Sequence, residues 1–200
     1  MMIAKEIRTI FVKNKGYARM KDLKLSGIHT RKIAAARKDG VIERIKPGLY
    51  KLVDYPWDEF SGFSDIYTAN SNSVICLVSA CEYYGLTTFS PSEISVALPR
   101  NTHQFKLTFP PIKVYFFTMK YYGTGITTVK SKSGTFKIYS IEKTLVDLFR
   151  YRKKTGDDIV LESLKNYLAQ NKRNINKLLE CAQQCGVQNK MLPYIKAMVV

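Results

Sequence analysis

The sequence predicts an α+β protein, in which a small basic N-terminal module precedes a larger domain with a small mixed sheet and a helical tail. Two observations support this. Residues 16–52 combine two short helical patterns, a tight turn and a Pro-Gly hairpin. After them come three short segments rich in β-forming residues, and the pattern is then helical to the end. With 200 residues and 46% hydrophobic content, the chain can bury one or two cores.

The N-terminal module begins with two predicted helices. The second, Met20 to Leu25, ends at Ser26-Gly27, because glycine accepts the left-handed backbone that closes a helix. A tight turn follows at once. The first helix ends at Asn14-Lys15-Gly16, and its apolar residues at helical spacing are Ile3, Ile7, Ile10 and Phe11.

A third helix is predicted from Thr30 to Asp39, with Thr30 as its N-cap and Gly40 just past its end. If Ile33 and Ala36 face the core, the opposite face is cationic at both ends and small in the middle. Such a face suits the DNA major groove, since alanines let the backbone approach base edges while arginine and lysine reach guanine or phosphate. The alternative is an ordinary solvated helix face.

A hairpin follows this helix. Val41 to Lys46 is predicted as a strand, Pro47-Gly48 as a turn and Leu49 to Leu52 as the returning strand. Pro-Gly suits a type II turn rather than the primed turns that two-residue hairpins prefer, so a longer loop is also possible. Three helices followed by a basic hairpin predict a winged helix-turn-helix, with the hairpin as the wing.

The distribution of charge supports a nucleic-acid partner. The formal net charge is +16, and residues 1–54 hold 14 lysines and arginines against 5 acids. A polyanion such as double-stranded DNA is the implied partner. His29 either contacts a phosphate or only fills the turn. The predicted DNA-binding residues are His29, Thr30, Arg31, Lys32, Ala35 and Lys38 around the third helix, and Arg44 and Lys46 on the wing.

The predicted domains are a winged helix-turn-helix at 1–54, a linker at 55–64 and a second domain at 65–200. Pro56 and Gly62 interrupt both periodicities in the linker. In the second domain, Val74 to Tyr84 suits a buried helix that ends at Gly85. The further predicted elements are strands at 94–98, 112–117 and 136–139, and helices at 141–151, capped by Ser140, at 159–170 and at 175–185.

No residue pattern in the chain predicts catalysis or a cofactor. Lys143 and Asp147 are expected to form an ion pair on a helix surface. The Glu-x-Lys triplet of nucleases with paired acids is absent, as are phosphate-binding glycine motifs. A nucleic-acid-processing enzyme is the second hypothesis and RNA binding through strand aromatics is the third. For those aromatics, core packing is the alternative.

Cysteine spacing and hydropathy predict neither a metal site nor a membrane segment. The pairs Cys76/Cys81 and Cys181/Cys185 lack the two-residue gap of zinc ribbons, and a disulfide framework is not expected. The N-terminus lacks a signal-peptide pattern, and the longest apolar stretch is too short to span a bilayer. A cytoplasmic location is therefore expected.

The order of these segments resembles the AbiEi antitoxins of abortive-infection toxin–antitoxin systems. The similarity runs from about residue 5 to the last helix. Its most specific parts are DGVIERIKPGLYKL, residues 39–52, and SIEKTLVDL, residues 140–148; VICLVSACEYYGL and EISVALP match more loosely.

The resemblance implies a phage-defence regulator that binds inverted repeats upstream of its own operon and represses it. It also implies a C-terminal domain that supplies antitoxicity against a nucleotidyltransferase-like toxin, without a stable complex between the two proteins. Inverted-repeat binding would place two copies on the DNA, either as a preformed dimer or as two monomers that meet on the site. A stand-alone DNA-binding regulator is the alternative function.

Overall fold

The computed structural model describes residues 2–199, and side chains from residue 6 to residue 198. The side chain of Ile3, one of the predicted core residues, lies outside the described ones. The chain is a mixed α/β protein with two sheets. By contacts it divides into two compact units: residues up to 71 with 105–111 and 130–136 form the N-terminal unit, and 72–104, 112–129 and 137 onward form the C-terminal unit.

The N-terminal unit contains three helices, a hairpin and a fourth helix. The helix from Met20 to Leu25 and the second hairpin strand have their predicted bounds, and the first hairpin strand begins one residue later than predicted. The elements are α1 (Met2–Lys13), β1 (Tyr17–Arg19), α2 (Met20–Leu25), α3 (Thr30–Lys38), β2 (Ile42–Lys46), β3 (Leu49–Leu52) and α4 (Ser61–Ala69). The strands form an antiparallel sheet of order β1-β3-β2, in which β1 is a strand that the sequence analysis does not predict.

The predicted N-cap of α3 is wrong by one residue. His29, with an extended backbone, occupies the N-cap position, and no side chain caps the helix there. The His29 carbonyl accepts from the N–H groups of Lys32 and Ile33. Thr30 therefore already has helical geometry, and its hydroxyl does not cap the helix. At the other end Asp39 is the C-cap and Gly40 follows with φ +70°, as predicted.

The hairpin turn is short and is accompanied by a bulge. Lys46 pairs with Leu49 across Pro47-Gly48, and Gly48 has φ +77°. The register shifts between Arg44 and Lys46, which is how the strands accommodate this turn. The longer loop that the sequence leaves open is not formed.

Residues 55–69 pack within the N-terminal unit, whereas the sequence analysis treats 55–64 as a linker. The rings of Tyr55 and Trp57 approach Gly16 so closely that a Cβ there would lie 2.8 Å from each ring. The Trp57 indole donates to the Leu52 carbonyl at 3.0 Å. By contacts the N-terminal unit therefore extends to residue 71, whereas the predicted domain ends at 54, because these aromatic rings pack over the end of the sheet.

A buried polar network connects the sheet to α4. The Lys51 ammonium lies 2.8 Å from Asp65 and 3.0 Å from Glu43, and the Tyr17 hydroxyl donates to Asp65 at 2.9 Å. Burial alone would lower the pKa of Lys51, but the two carboxylates outweigh it and hold this pKa above its ordinary value. Burial raises the pKa of Asp65, although Lys51 and Tyr17 counteract this.

The second sheet of the chain has five strands in the order β6-β5-β4-β8-β7. β4 pairs antiparallel with β5 and parallel with β8, and β5 pairs parallel with β6. The elements are β4 (Val74–Ile75), α5 (Leu77–Tyr83), β5 (Ile94–Pro99), β6 (Ile112–Phe117), α6 (Met119–Tyr122), β7 (Ile126–Ser131), β8 (Gly134–Tyr139), α7 (Ile141–Thr155), α8 (Asp157–Ala169), α9 (Ile175–Gln184) and α10 (Gln188–Val199).

The prediction of one helix over Val74 to Tyr84 is wrong at its start. Val74 and Ile75 form the central strand β4, and Cys76 has an extended backbone before α5 begins. Both faces of this strand are buried, so a short apolar run does not distinguish it from a buried helix. The strand β7 is also absent from the prediction, whereas Ser140 caps α7 as predicted, accepting from the Lys143 N–H.

The expected surface ion pair on α7 is wrong, because both side chains are fully buried. The Lys143 ammonium bonds to Asp147 and lies 4.3 Å from the centre of the Tyr139 ring and 5.0 Å from that of Phe117. α7 is covered by the helices α5, α8 and α9, so the pair lies in the core. Burial raises the pKa of Asp147 to about 6, although Lys143 counteracts this.

Among residues 2–199 no helix is long and apolar enough to cross a bilayer. No group of three or more His, Cys, Asp or Glu residues in that range could hold a metal ion. All four cysteines are free thiols.

Removing one member of the buried pair on α7 should destabilise the C-terminal unit. We expect Asp147→Ala to lower the free energy of unfolding by about 3–5 kcal/mol, because it leaves the Lys143 ammonium buried without a counter-charge. The double variant Asp147→Val with Lys143→Met should regain most of the lost free energy of unfolding, because it buries no charge. Urea unfolding of the single and double variants measures both effects. Equal stability of Asp147→Ala and wild type would contradict this role.

Candidate nucleic-acid interface

The helix α3 buries one narrow side and exposes the other. Ile33 and Ala36 pack into the core beside Phe11, Leu23 and Ile42. Five residues from the start of α3 line one open depression on the opposite side. These are His29, Thr30, Arg31, Lys32 and Ala35. The structure therefore brings together the five predicted site residues that lie at the beginning of the helix.

Lys38 extends this face to the far end of α3. It is exposed, as is Ala34 between the two ends. Arg31 and Lys38 are seven residues apart, so they lie on one side of the helix at a spacing of about 10 Å. This spacing allows two cations to reach separate phosphates or base edges while the alanines between them admit close approach.

The first turn of α3 adds backbone donors to these side chains. No side-chain bond caps the helix at His29, so its first N–H groups remain available to an anion. Lys32 lies 3.8 Å from Glu6, and both side chains are substantially exposed. Such a surface pair contributes little and can exchange for a phosphate. The helix start is thus a positive, hydrogen-bond-donating end.

The two predicted wing residues have different surroundings. Arg44 is exposed on β2. Lys46 instead turns toward α4, where its ammonium donates to the Ala69 carbonyl at 2.5 Å. Burial, together with the nearby Arg19 cation, lowers the pKa of Lys46. The structure therefore does not bring Lys46 into the surface formed by α3.

The carbonyl end of α4 binds a second cation as well. Arg19 donates to the Thr68 carbonyl at 3.4 Å, beside the bond from Lys46 to Ala69. Cations are favoured at a helix C-terminus, where carbonyl groups lack helical partners. No local pattern around Lys46 indicates this partner, because Ala69 lies 23 residues away in the sequence.

One basic residue of α3 is missing from the predicted set. Arg37 is exposed in the last turn, next to Lys38. The helical repeat places it near the side of Ile33 and Ala36, which is why the pattern assigns it to neither face. The buried side of α3 consists of Ile33 and Ala36 alone, and it does not include Arg37. Exposed lysines on α2, Lys21 and Lys24, add further positive charge to the unit.

A solved structure has a similar fold. The crystal structure of the RV2827C protein from Mycobacterium tuberculosis aligns with a TM-score of 0.59 and 12% sequence identity. The alignment covers 98% of this chain and 81% of that chain. At this level of identity the likeness concerns the fold alone. Among curated proteins, no significant match to this chain is found.

A family model matches the segment that carries the α3 surface. It covers residues 5–53, from within α1 to just past the end of β3, and it describes a transcriptional regulator, AbiEi antitoxin. The resemblance of this segment is thus confirmed, while the resemblance of SIEKTLVDL lies beyond the matched residues and stays a prediction. Residues 5–53 of this chain are thus similar to the AbiEi antitoxin family of transcriptional regulators.

Proposed function

We propose that residues 1–54 are a winged helix-turn-helix that binds duplex DNA, with α3 in the major groove and the β2–β3 hairpin as the wing. The observation that carries this proposal is the open face of α3, where cations at both ends flank exposed alanines. A solvated helix face needs no such order of side chains. A recognition helix does, because its backbone must approach the base edges.

The side chains on this surface have separate roles in the proposal. Arg31 and Lys38 contact base edges or the phosphates that flank them, and Ala35 contacts a thymine methyl group. His29, Thr30 and Lys32 hold a phosphate at the uncapped helix start. Arg44 contacts the backbone from the wing. Lys46 supports the wing through Ala69 and makes no DNA contact in the conformation described.

The family description extends the proposal to a biological role. We infer that the chain represses its own operon by binding inverted repeats upstream, with one copy on each repeat. The predicted second domain, 65–200, would supply antitoxicity against a nucleotidyltransferase-like toxin in the cytoplasm. The chain would act without catalysis, without a cofactor and without a stable complex with that toxin. The transcriptional-regulator description of residues 5–53 supports the regulatory part.

Sequence-selective binding should depend on the two cations that lie on one side of α3. We expect the purified chain to shift a duplex from its own upstream region in preference to a random duplex of equal length. Arg31→Ala with Lys38→Ala should lower the affinity for the upstream duplex by roughly tenfold or more, because each base contact is worth about 1–3 kcal/mol. Mobility-shift titrations at a fixed salt concentration measure both values.

A matched control separates this effect from loss of charge alone. Lys190→Ala with Lys196→Ala removes the same two charges from exposed positions of α10, and should leave the preference intact. Both double variants should unfold at the wild-type temperature, since none of the four side chains is buried. Equal affinity of the wild type for both duplexes at moderate salt would overturn the specific-repressor proposal.

The two wing cations should differ in their salt dependence. We expect Arg44→Ala to reduce the slope of log affinity against log salt by about 1, because one phosphate contact is lost. Lys46→Ala should leave this slope unchanged, since its ammonium is bonded to Ala69. Binding isotherms at four or more salt concentrations measure the slopes. A reduced slope for Lys46→Ala would mean that this lysine leaves α4 and contacts the DNA.

Antitoxicity should be separable from DNA binding. We expect expression of the chain to rescue growth of cells that express its proposed toxin, a nucleotidyltransferase-like protein. The Arg31→Ala, Lys38→Ala variant should rescue equally well, because those residues serve operator binding only. Colony counts with both proteins under independent promoters measure rescue. No rescue by the wild type would reduce the proposal to a plain transcriptional regulator.

A further inference from the structure

A distant part of the sequence, residues 105–111, packs on the hairpin and is called the supporting segment below. Gln104 and Ile112 on either side of it belong to the C-terminal unit, whereas the segment itself belongs to the N-terminal unit. It lies outside residues 5–53, which the family model matches, so the family description assigns it no role.

A backbone hydrogen bond joins the supporting segment to the bulge of β2. Within the described hairpin, the register shifts between Arg44 and Lys46 and passes over Ile45. Ile45 is 1% exposed, so its carbonyl needs a donor from the protein. The Thr108 N–H donates to this carbonyl at 2.7 Å. The segment is thus bonded to the backbone of the residue next to Arg44, where the strand is irregular.

Two side chains of the segment pack against the hairpin as well. Phe105 and Leu107 are partly buried against a small apolar cluster. The cluster includes one residue from each hairpin strand, and its members are Tyr17, Ile45, Leu49 and Ala69. The residues that alternate with them, Lys106 and Thr108, are exposed. The segment therefore holds the hairpin by one apolar side and one backbone bond, as an added strand would.

The contact matters because β2 is an edge strand. The sheet has the order β1-β3-β2, so β2 has a pairing strand on one side only. An edge strand lacks the second ladder of hydrogen bonds that fixes an internal strand. Arg44 is exposed on this strand, one residue before the carbonyl that Thr108 binds. Any movement of β2 would therefore move the wing cation that we expect to contact the DNA backbone.

We propose that the supporting segment positions the wing on DNA, with Thr108 as a positioning residue for Arg44. This inference rests on the proposed function of the hairpin as the wing. The backbone bond and the two apolar side chains of the segment fix the hairpin, so Arg44 reaches a phosphate without first ordering β2. DNA binding through the wing therefore depends on residues that lie outside the predicted domain at 1–54.

A matched pair of substitutions at one position tests this role. Thr108→Pro removes the N–H that donates to Ile45, whereas Thr108→Ala keeps it and changes only an exposed side chain. In the full chain, we expect Thr108→Pro to reduce the slope of log affinity against log salt by about 1, as Arg44→Ala does. Thr108→Ala should leave the slope unchanged. Binding isotherms with the upstream duplex measure these slopes.

Combination with Arg44→Ala separates positioning from direct contact. If Thr108 acts through Arg44, the double variant Arg44→Ala with Thr108→Pro should have its slope reduced by about 1 in total, because the same phosphate contact is lost. A reduction by about 2 would mean that the segment itself contacts a phosphate, and it would overturn the positioning role. The preference for the upstream duplex over a random one should persist in every variant, since α3 is unchanged.

Hydrogen exchange tests the support of the hairpin without DNA. Loss of one bond to a buried carbonyl should make the amides of residues 42–52 exchange roughly tenfold faster in Thr108→Pro than in the wild type. These amides should exchange at the wild-type rate in Thr108→Ala, and those of α7 should be unchanged in both variants. Mass spectrometry of peptic peptides from the full chain measures the rates. If Thr108→Pro does not fold, Leu107→Ala repeats the comparison, with the exposed Lys106→Ala as its control.

Failure of this inference and failure of the proposed function give different results. A wild type that shows no preference for the upstream duplex removes the proposed function, and with it any role of the segment in DNA binding. Where the wild type does bind, equal exchange rates or equal salt slopes in Thr108→Pro and Thr108→Ala would contradict the role of the segment alone. Faster exchange together with a reduced slope in Thr108→Pro supports it.

Discussion

A buried ammonium must have a buried counter-charge, and each unit of this protein is organised around one such pair. In the N-terminal unit Lys51 of β3 meets Asp65 of α4, and Tyr17 of β1 completes the bonding of that carboxylate. In the C-terminal unit Lys143 and Asp147 of α7 are enclosed by rings and helices. A pair of this kind stabilises little by itself, but it disfavours every packing that would separate the charges.

The N-terminal pair has a consequence for the surface that we propose to bind DNA. Because Asp65 holds α4 against the sheet, the carbonyl end of α4 lies beside the hairpin and binds Arg19 and Lys46. These two cations are therefore bonded to carbonyl oxygens within the unit. The cations of the unit that remain exposed include those of α3, Lys21 and Lys24 of α2, and Arg44. Intramolecular bonding, as well as the sequence, thus selects which basic residues are available to an anion.

Much of the local structure follows from short-range signals. Gly27 and Gly40 mark the ends of α2 and α3, and Ser140 marks the start of α7, because caps depend on neighbours three or four residues away. The exposed start of α3 follows equally from helical periodicity. The strands β1 and β7 do not, since a short strand is stabilised by the partner with which it pairs.

The sequence by itself determined the helix ends, the hairpin and the segment that carries the cationic face, because each depends on residues close together in the chain. Only the tertiary structure decided which charges are buried. Lys46 finds its partner 23 positions away, and Lys143 lies inside the core although its spacing from Asp147 is that of a surface pair. Burial depends on what other elements cover, and periodicity within one element cannot encode that.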